Sequence, residues 1–301
     1  AVDGVSLTLH EGETLGLVGE SGCGKTTTSR MILNLEEPTE GRILLEGEAI
    51  HDLQGAALAA YRAKVQAVFQ DPWSSLNPRM KAGRIIAEAL IVNGWGDRAK
   101  IDERVGELLG QVGLRPEQAQ QYPHEFSGGQ RQRIVIARAL AVNPECLVLD
   151  EPVSALDVSI QSKILNLLHD LRKQLALTYL FISHDLSVVK HIADRVAVMY
   201  LGHLVESAPK RTLYANPLHP YTQGLLAAVP STTQRSAARA TISGEIQSPI
   251  DIPAQCRFVT RCPRVIDRCK VEVPLRQEVE PGHLVACFNH APLEQRGPRP
   301  V

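Results

Sequence analysis

Eight consecutive residues near the start of the chain, Gly19-Glu20-Ser21-Gly22-Cys23-Gly24-Lys25-Thr26, keep the spacing G-x-x-x-x-G-K-S/T. Glycines at these positions let backbone N–H groups turn inward around a polyphosphate. A helix opening directly behind the loop adds a dipole that favours anionic oxygens. In that arrangement Lys25 pairs with β- and γ-phosphates and the Thr26 hydroxyl ligates Mg²⁺. Cys23 fills a variable loop position and is passive. Further along, the apolar run Cys146-Leu147-Val148-Leu149 ends in two carboxylates, Asp150 and Glu151. Asp150 suits Mg²⁺, directly or through water, and Glu151 suits a general base acting on an attacking water. Cys146 reads as a small core residue at the start of its strand. These two segments specify nucleoside triphosphate chemistry and leave kinases, GTPases, helicases and transport ATPases open.

A third segment narrows the choice. Phe126-Ser127-Gly128-Gly129-Gln130 precedes the helical run Arg131 to Leu140, which sets two glycines and a hydroxyl at another helix N-terminus. One active site needs one phosphate loop, so the second anion-binding device faces a nucleotide held by another subunit.

These residues need a scaffold, and the chain supplies an α/β pattern. Short apolar runs read as strands at 14–18, 41–45, 65–69, 147–149, 179–182 and 196–200, with helical stretches between them. The helix behind the phosphate loop is expected to end near Leu35. From about Asp71 to Asn143 the pattern is helical, with apolar residues at helical spacing over Ile85–Leu90 and Val105–Val112; this block reads as an insertion between two strands. With 44% hydrophobic and 22% charged residues the 301-residue chain is an ordinary globular composition, which excludes disorder for most of it. The net charge of -1 gives no overall field to draw nucleic acid. No apolar run reaches the roughly 18 residues of a membrane span, and the amino end has no signal-peptide pattern. That end reads as if entered mid-fold, with an upstream strand expected to precede it.

Taken together the motifs resemble the ATP-binding subunits of ABC transporters, over residues 1 to about 230. The resemblance implies a phosphate-loop α/β core at 1–207 with an inserted helical subdomain at about 71–143. It sets ATP contacts at Gly19, Glu20, Ser21, Gly22, Cys23, Gly24, Lys25, Thr26 and Thr27, and places the Q-loop residue at Gln70, within Val68-Phe69-Gln70-Asp71-Pro72. The signature motif falls at Ser127, Gly128, Gly129 and Gln130, the D-loop aspartate at Asp157, and the switch histidine at His184. Mg²⁺ is implied at Thr26, Gln70 and Asp150, and catalysis at Glu151 with His184. Two cassettes would pair head to tail over two ATPs, and Gln70 would couple nucleotide state to the helical block. The family stacks adenine on an aromatic residue upstream of Ala1, so no platform is assigned. A soluble ABC ATPase acting on nucleic acid or ribosomes is the alternative from another class; those usually carry two cassettes or a long coiled coil, and this chain has neither.

The stretch Phe69 to Met80, Tyr122-Pro123-His124-Glu125, Ala155 to Gln161 and Asn216 to Thr222 resemble the di- and oligopeptide importers, a branch that includes nickel systems. Asn77 to Met80 with Asp157 to Gln161 resembles its F-type member. The branch implies a second, non-identical ATPase subunit, two transmembrane permease subunits, an extracytoplasmic solute-binding protein, and a peripheral place on the cytoplasmic face of the inner membrane. Trp73 and Leu76 are expected to be exposed where the permease docks. After residue 207 prolines break the pattern: 208–243 reads as a helical and linker segment, with Ser231–Ala240 as linker, and 244–301 as an extension with eight prolines. Its four cysteines, Cys256, Cys262, Cys269 and Cys287, suit a 4Fe–4S cluster or tetrahedral zinc. The absence of C-x2-C pairs favours iron–sulfur, and the branch's extension resembles a cluster-binding segment; reduced thiols or disulfides remain open. A segment with so little to bury is expected to need such a staple. His283 and His290 are nearby alternative ligands and are expected to be solvated.

Overall fold

The computed structural model describes residues 1–71, 75–228, 244 and 253–290. In chain order the strands are β1 (Thr14–Val18), β2 (Leu44–Leu45), β3 (Glu48–Ala49), β4 (Val65–Val68), β5 (Cys146–Asp150), β6 (Thr178–Ser183), β7 (Arg195–Tyr200), β8 (His203–Pro209), β9 (Gln277–Glu280) and β10 (His283–Val285). The α-helices are α1 (Lys25–Ile32), α2 (Gly55–Lys64), α3 (Ala82–Val92), α4 (Arg98–Gln111), α5 (Gly128–Leu140), α6 (Val158–Leu175), α7 (Leu186–Ile192), α8 (Lys210–Ala215) and α9 (Pro220–Ala228). The chain divides into two compact units. One, the phosphate-loop unit, comprises Ala1–Thr8, Thr14–Thr27 and Ser183–Val301; the other, the helical unit, comprises Leu9–Glu13 and Thr28–Ile182. None of the described helices is long and apolar enough to cross a membrane.

In the phosphate-loop unit β1 is buried at all five positions. Such an unbroken apolar run is what a strand covered on both faces requires. It pairs in parallel with β7, from Leu15 opposite Arg195 to Val18 opposite Val198. The chain then reverses through Leu201-Gly202, at φ 43° and 82°. Two residues of positive φ match the twist of a tight hairpin, so β8 returns antiparallel to β7. The tail adds β10 alongside β8, with Leu284 opposite Ser207, and β9 alongside β10.

The tail finds apolar burial by leaning on this sheet and on α9. Phe258 packs edge-on against Tyr200 and Tyr221, with ring centroids 5.2 and 5.5 Å apart. A buried carboxylate on β8 gathers donors from the chain just before α9 and from β10, while His283 Nδ1 has no partner among the described residues. The fully buried Glu206 carboxylate accepts the N–H groups of Leu218 and His219 at 2.8 and 2.9 Å and pairs with His283 Nε2 at 2.8 Å. His283, expected to be solvated, is fully buried, because β10 carries it inward against β8. Burial holds the His219 pKa down at about 4.

In the helical unit β4, β5 and β6 run parallel, with Val65 opposite Cys146 and Asp150 opposite Ile182. Helices α3, α4 and α5 fall within the expected insertion. Asp97 caps α4 by accepting the N–H of Ala99 at 2.9 Å. The buried residues Ile85, Ile86 and Leu90 on α3 and Val105, Leu108 and Leu109 on α4 keep the helical spacing seen in the sequence.

Three further expectations change. The strand expected at 41–45 shrinks to Leu44–Leu45, which pairs only with Glu48–Ala49 in a separate ribbon; Glu46 and Gly47, both at positive φ, turn the chain back at once. Helix α1 stops at Ile32, short of Leu35, because Asn34 takes φ 53° and Leu35 N–H returns to Arg30 O at 2.9 Å, a left-handed helix end. Leu76 is 3% exposed and belongs to the core. Trp73 and the linker Ser231–Ala240 lie outside the described residues.

Glu206→Ala leaves three buried polar groups without their shared acceptor. Thermal unfolding of the full chain should register a loss of about 3 kcal/mol; an unchanged melting temperature would contradict this reading of the group.

Candidate nucleotide site

The phosphate loop joins the buried end of β1 to the N-terminus of α1. Its turn depends on two glycines. A Cβ at Gly19 would stand 2.2 Å from Met199 O, and Gly24 takes φ 108° with its own Cβ position crowded by Ala1 O at 2.6 Å. Lys25 is 6% exposed, and its ammonium donates to Gly19 O at 2.8 Å and Glu20 O at 3.0 Å. Two carbonyls of its own loop thus fix the cation inside the loop. The Cys23 thiol is buried against it, with Sγ 3.7 Å from Lys25 Nζ, and burial raises its pKa. Ser21, Gly22 and Thr26 are exposed and Thr27 is half-buried. Glu20 is tied down twice: its N–H donates to Tyr221 Oη at 2.9 Å, and its carboxylate takes both nitrogens of the Arg261 fork at 2.7 and 2.9 Å.

His184 belongs to this same unit and is exposed just after β6. Its neighbour Asp185 caps α7 by accepting Ser187 N–H at 2.7 Å. Asp185 therefore sets where the helix begins and how His184 leaves the strand.

The helical unit carries the carboxylates. Strand β5 is buried from Leu147 to Asp150. Ser29 Oγ donates to Asp150 Oδ2 at 3.3 Å. Glu151 follows at φ 50°, a left-handed conformation costly for a residue with a side chain and concentrated at functional positions. Its N–H still bonds Ile182 O at 2.9 Å, so the backbone leaves the strand at that residue. Its carboxylate accepts Gln70 Nε2 at 2.9 Å. The structure thus brings together Gln70 and Glu151, which are 81 positions apart. A carboxylate buried on a strand end and held by a hydroxyl is a donor set that fits Mg²⁺.

Ser127 caps α5. Its Oγ accepts Gln130 N–H at 3.4 Å while Gln130 Oε1 accepts Ser127 N–H at 2.9 Å, a reciprocal box. Ser127 is exposed and Gly128 half-buried, so the helix start faces outward. Gly129 is fixed by packing: a Cβ there would stand 2.5 Å from Ile160 Cγ2 on α6. Asp157 caps α6, accepting Ser159 Oγ at 2.8 Å and Ile160 N–H at 3.0 Å, and these bonds hold its carboxyl below the usual range.

Cys256, Cys262, Cys269 and Cys287 are all free thiols. Burial chiefly pushes Cys256 up to about 12 and Cys287 up to about 11; charge on the neighbouring thiols adds to both. Among the described residues no group of three or more His, Cys, Asp or Glu side chains is placed to hold a metal ion. The donor chemistry of the tail suits a metal, and the described arrangement does not gather it into a site. His290, also expected to be solvated, lies 3.0 Å from Gln277 Nε2 through its own Nε2.

Sequence reasoning missed Ser29, Tyr221 and Arg261. Ser29 could have been found, since it stands one helical turn beyond Thr26 and shares its face. Arg261 lies 241 positions from Glu20, and no local pattern links them.

Comparison with known proteins agrees with the motifs. Residues 2–154 match the model of the ABC transporter family, and residues 205–269 match the C-terminal region of oligopeptide/dipeptide transporters. The chain is 54% identical over 291 residues to the oligopeptide transport ATP-binding protein AppF of Bacillus subtilis, covering 95% of this chain and 88% of that protein. It is 51% identical to a putative peptide import ATP-binding protein of Brucella ovis, covering 95% and 91%. Among solved structures it superposes on cbiO1 of Clostridium perfringens, part of an ABC transporter complex, with TM-score 0.66 and 29% identity over 71% of this chain and 84% of that one. A dimeric ATP-binding cassette in a post-hydrolysis state with ADP and Pi gives TM-score 0.63 and 32% identity over 70% and 90%. The chain belongs to the ABC transporter family, as an ATP-hydrolysing cassette with the mixed α/β phosphate-loop fold. Its C-terminal region is that of the oligopeptide/dipeptide branch.

Gly129→Val should drive a side chain into Ile160 and cost about 2 kcal/mol, measurable in the thermal unfolding of the full chain. An unshifted transition would show that α5 and α6 have room to part.

Proposed function

We propose that this chain is the ATP-hydrolysing subunit that energises an ABC importer for di- and oligopeptides. The observation that carries the substrate class is the match of residues 205–269 to the oligopeptide/dipeptide C-terminal region. The names of the relatives at 54% and 51% identity support it. In this reading peptide never touches the chain. Its partners are a second, non-identical ATPase subunit, two transmembrane permease subunits and an extracytoplasmic binding protein, and it sits on the cytoplasmic face of the membrane. The chain takes the F-type place in that pair.

The site residues then divide the chemistry. Backbone N–H groups of 21–26 and the Lys25 ammonium hold the β- and γ-phosphates, and Lys25 offsets charge that builds on them. Thr26, Gln70 and Asp150 would hold Mg²⁺, which supplies charge neutralisation on the phosphate oxygens. Glu151 takes a proton from water as its oxygen attacks the γ-phosphorus and the bond to the β,γ-bridging oxygen breaks, giving ADP and phosphate. His184 orients the same water. Ser127, Gly128, Gly129 and Gln130 act on the ATP of the partner cassette, with Asp157 at the junction. Gln70, bonded to Glu151, links nucleotide state to the helical block.

The four thiols of the tail are assigned to a 4Fe–4S cluster, with zinc as the alternative. The support is the donor set, four cysteines in the tail that are all free thiols. No step of hydrolysis passes through them.

In proteoliposomes holding the assembled transporter, Glu151→Gln should cut ATP hydrolysis at least ~10²-fold and abolish peptide uptake while ATP stays bound. Hydrolysis at the native rate would remove Glu151 from the chemistry, and native hydrolysis without uptake of any peptide would remove the substrate assignment. Protein purified without oxygen should carry iron and acid-labile sulfide, both lost in Cys256→Ser; protein free of iron and zinc alike would end the cluster assignment.

A further inference from the structure

One short turn of the tail reaches the phosphate loop directly through Arg261 and indirectly, by way of the β7–β8 hairpin, through Arg257. Cys256 to Cys262 packs through Phe258 onto Tyr200 and Tyr221. Arg261, with its side chain 4% exposed, donates from both terminal guanidinium nitrogens to the Glu20 carboxylate at 2.7 and 2.9 Å. A two-pronged guanidinium–carboxylate bond is geometrically demanding and fixes the direction of both planes. The guanidinium also lies over the Tyr200 ring, 5.8 Å from its centroid, with Nη1 3.5 Å from Tyr200 Oη. Arg257, four residues earlier, donates to Leu201 O in the β7–β8 hairpin and to Asp3. The next residue in that hairpin, Gly202, donates its N–H to Cys23 O of the phosphate loop at 2.8 Å.

We propose that Arg261 is a positioning residue for the phosphate loop, holding Glu20 and cancelling its charge so that the tail sets the affinity of the loop for ATP. The inference rests on the ATP-binding reading of that loop. The physical reason is electrostatic. Glu20 is one of the loop's own residues, and a bare carboxylate there repels a triphosphate arriving at Lys25. Paired with Arg261 it adds no net charge. Its loop carbonyl, which accepts Lys25 Nζ at 3.0 Å, stays in place. Arg257 steadies the far side of the same loop through the hairpin. Because Arg257 follows Cys256 and Arg261 precedes Cys262, whatever holds those two cysteines also holds the clamp.

The test is Mg-ATP titration of the full chain by calorimetry, with steady-state hydrolysis by the assembled transporter. Arg261→Gln should weaken ATP binding roughly tenfold, the order expected of one poorly screened charge a few ångströms away. The KM for ATP should rise with kcat held. Arg261→Lys, which keeps the charge without the fork, should fall between the two. The double variant Glu20→Gln/Arg261→Gln should recover most of the lost affinity, because the repelling charge has gone with its partner. A purely structural clamp predicts the opposite, a double variant as weak as Arg261→Gln, and that result would overturn the proposal. Native affinity in Arg261→Gln would overturn it too. Lys25→Ala is measured alongside and should lose ATP binding. If it does not, the reading of the loop itself fails, and that failure is distinct from an Arg261 variant with no effect.

Discussion

Everything in the phosphate-loop unit depends on enclosing a lysine ammonium within a loop of backbone. A buried cation is stable only where acceptors surround it. Gly19 O and Glu20 O do so here, and they are placed by a turn that only glycine can make where Met199 O stands 2.2 Å from the Cβ position. The order of the strands follows from that need. β1 must be buried along its length to deliver the loop, β7 must run beside it to supply Met199, and the two-residue hairpin into β8 must be tight enough for Gly202 N–H to reach Cys23 O.

The helical unit meets a different demand, that of aiming carboxylates from a strand end. Asp150 is the last residue of β5, and Glu151 leaves the strand in a left-handed conformation. That backbone strain is tolerated because Ile182 O, Gln70 and the turn to Ser154 hold the residue on several sides. Ser127 and Gln130 satisfy each other across the start of α5, so the signature helix begins at a defined residue.

How much of this was legible depended on the range of the interaction. The phosphate loop, β5 with its two carboxylates, and the Ser127 cap are set by residues a few positions apart, and their spacing was readable. The apolar run at 41–45 does not reveal that Glu46 and Gly47 turn the chain back immediately. The apolar side chain of Leu76, set in a polar stretch, gives no sign in the sequence that it faces the core. Nothing local marks His283 as buried, because only β10 pairing with β8 brings it to Glu206. Arg261 was invisible because its partner is nearly the whole chain away. The four cysteines were readable as a donor set, and their chemistry still rests on that set.

The central claim is that Gly19 to Thr27 holds the phosphates of ATP and that Ser127 to Gln130 reaches across to the partner's nucleotide. An ATP analogue with a photoreactive group on its γ-phosphate, cross-linked in the assembled transporter and mapped by mass spectrometry, tests it directly. The account predicts label within residues 19–27 of this chain, and within residues 127–130 when the partner's nucleotide is the one labelled. Label confined to other segments would contradict it.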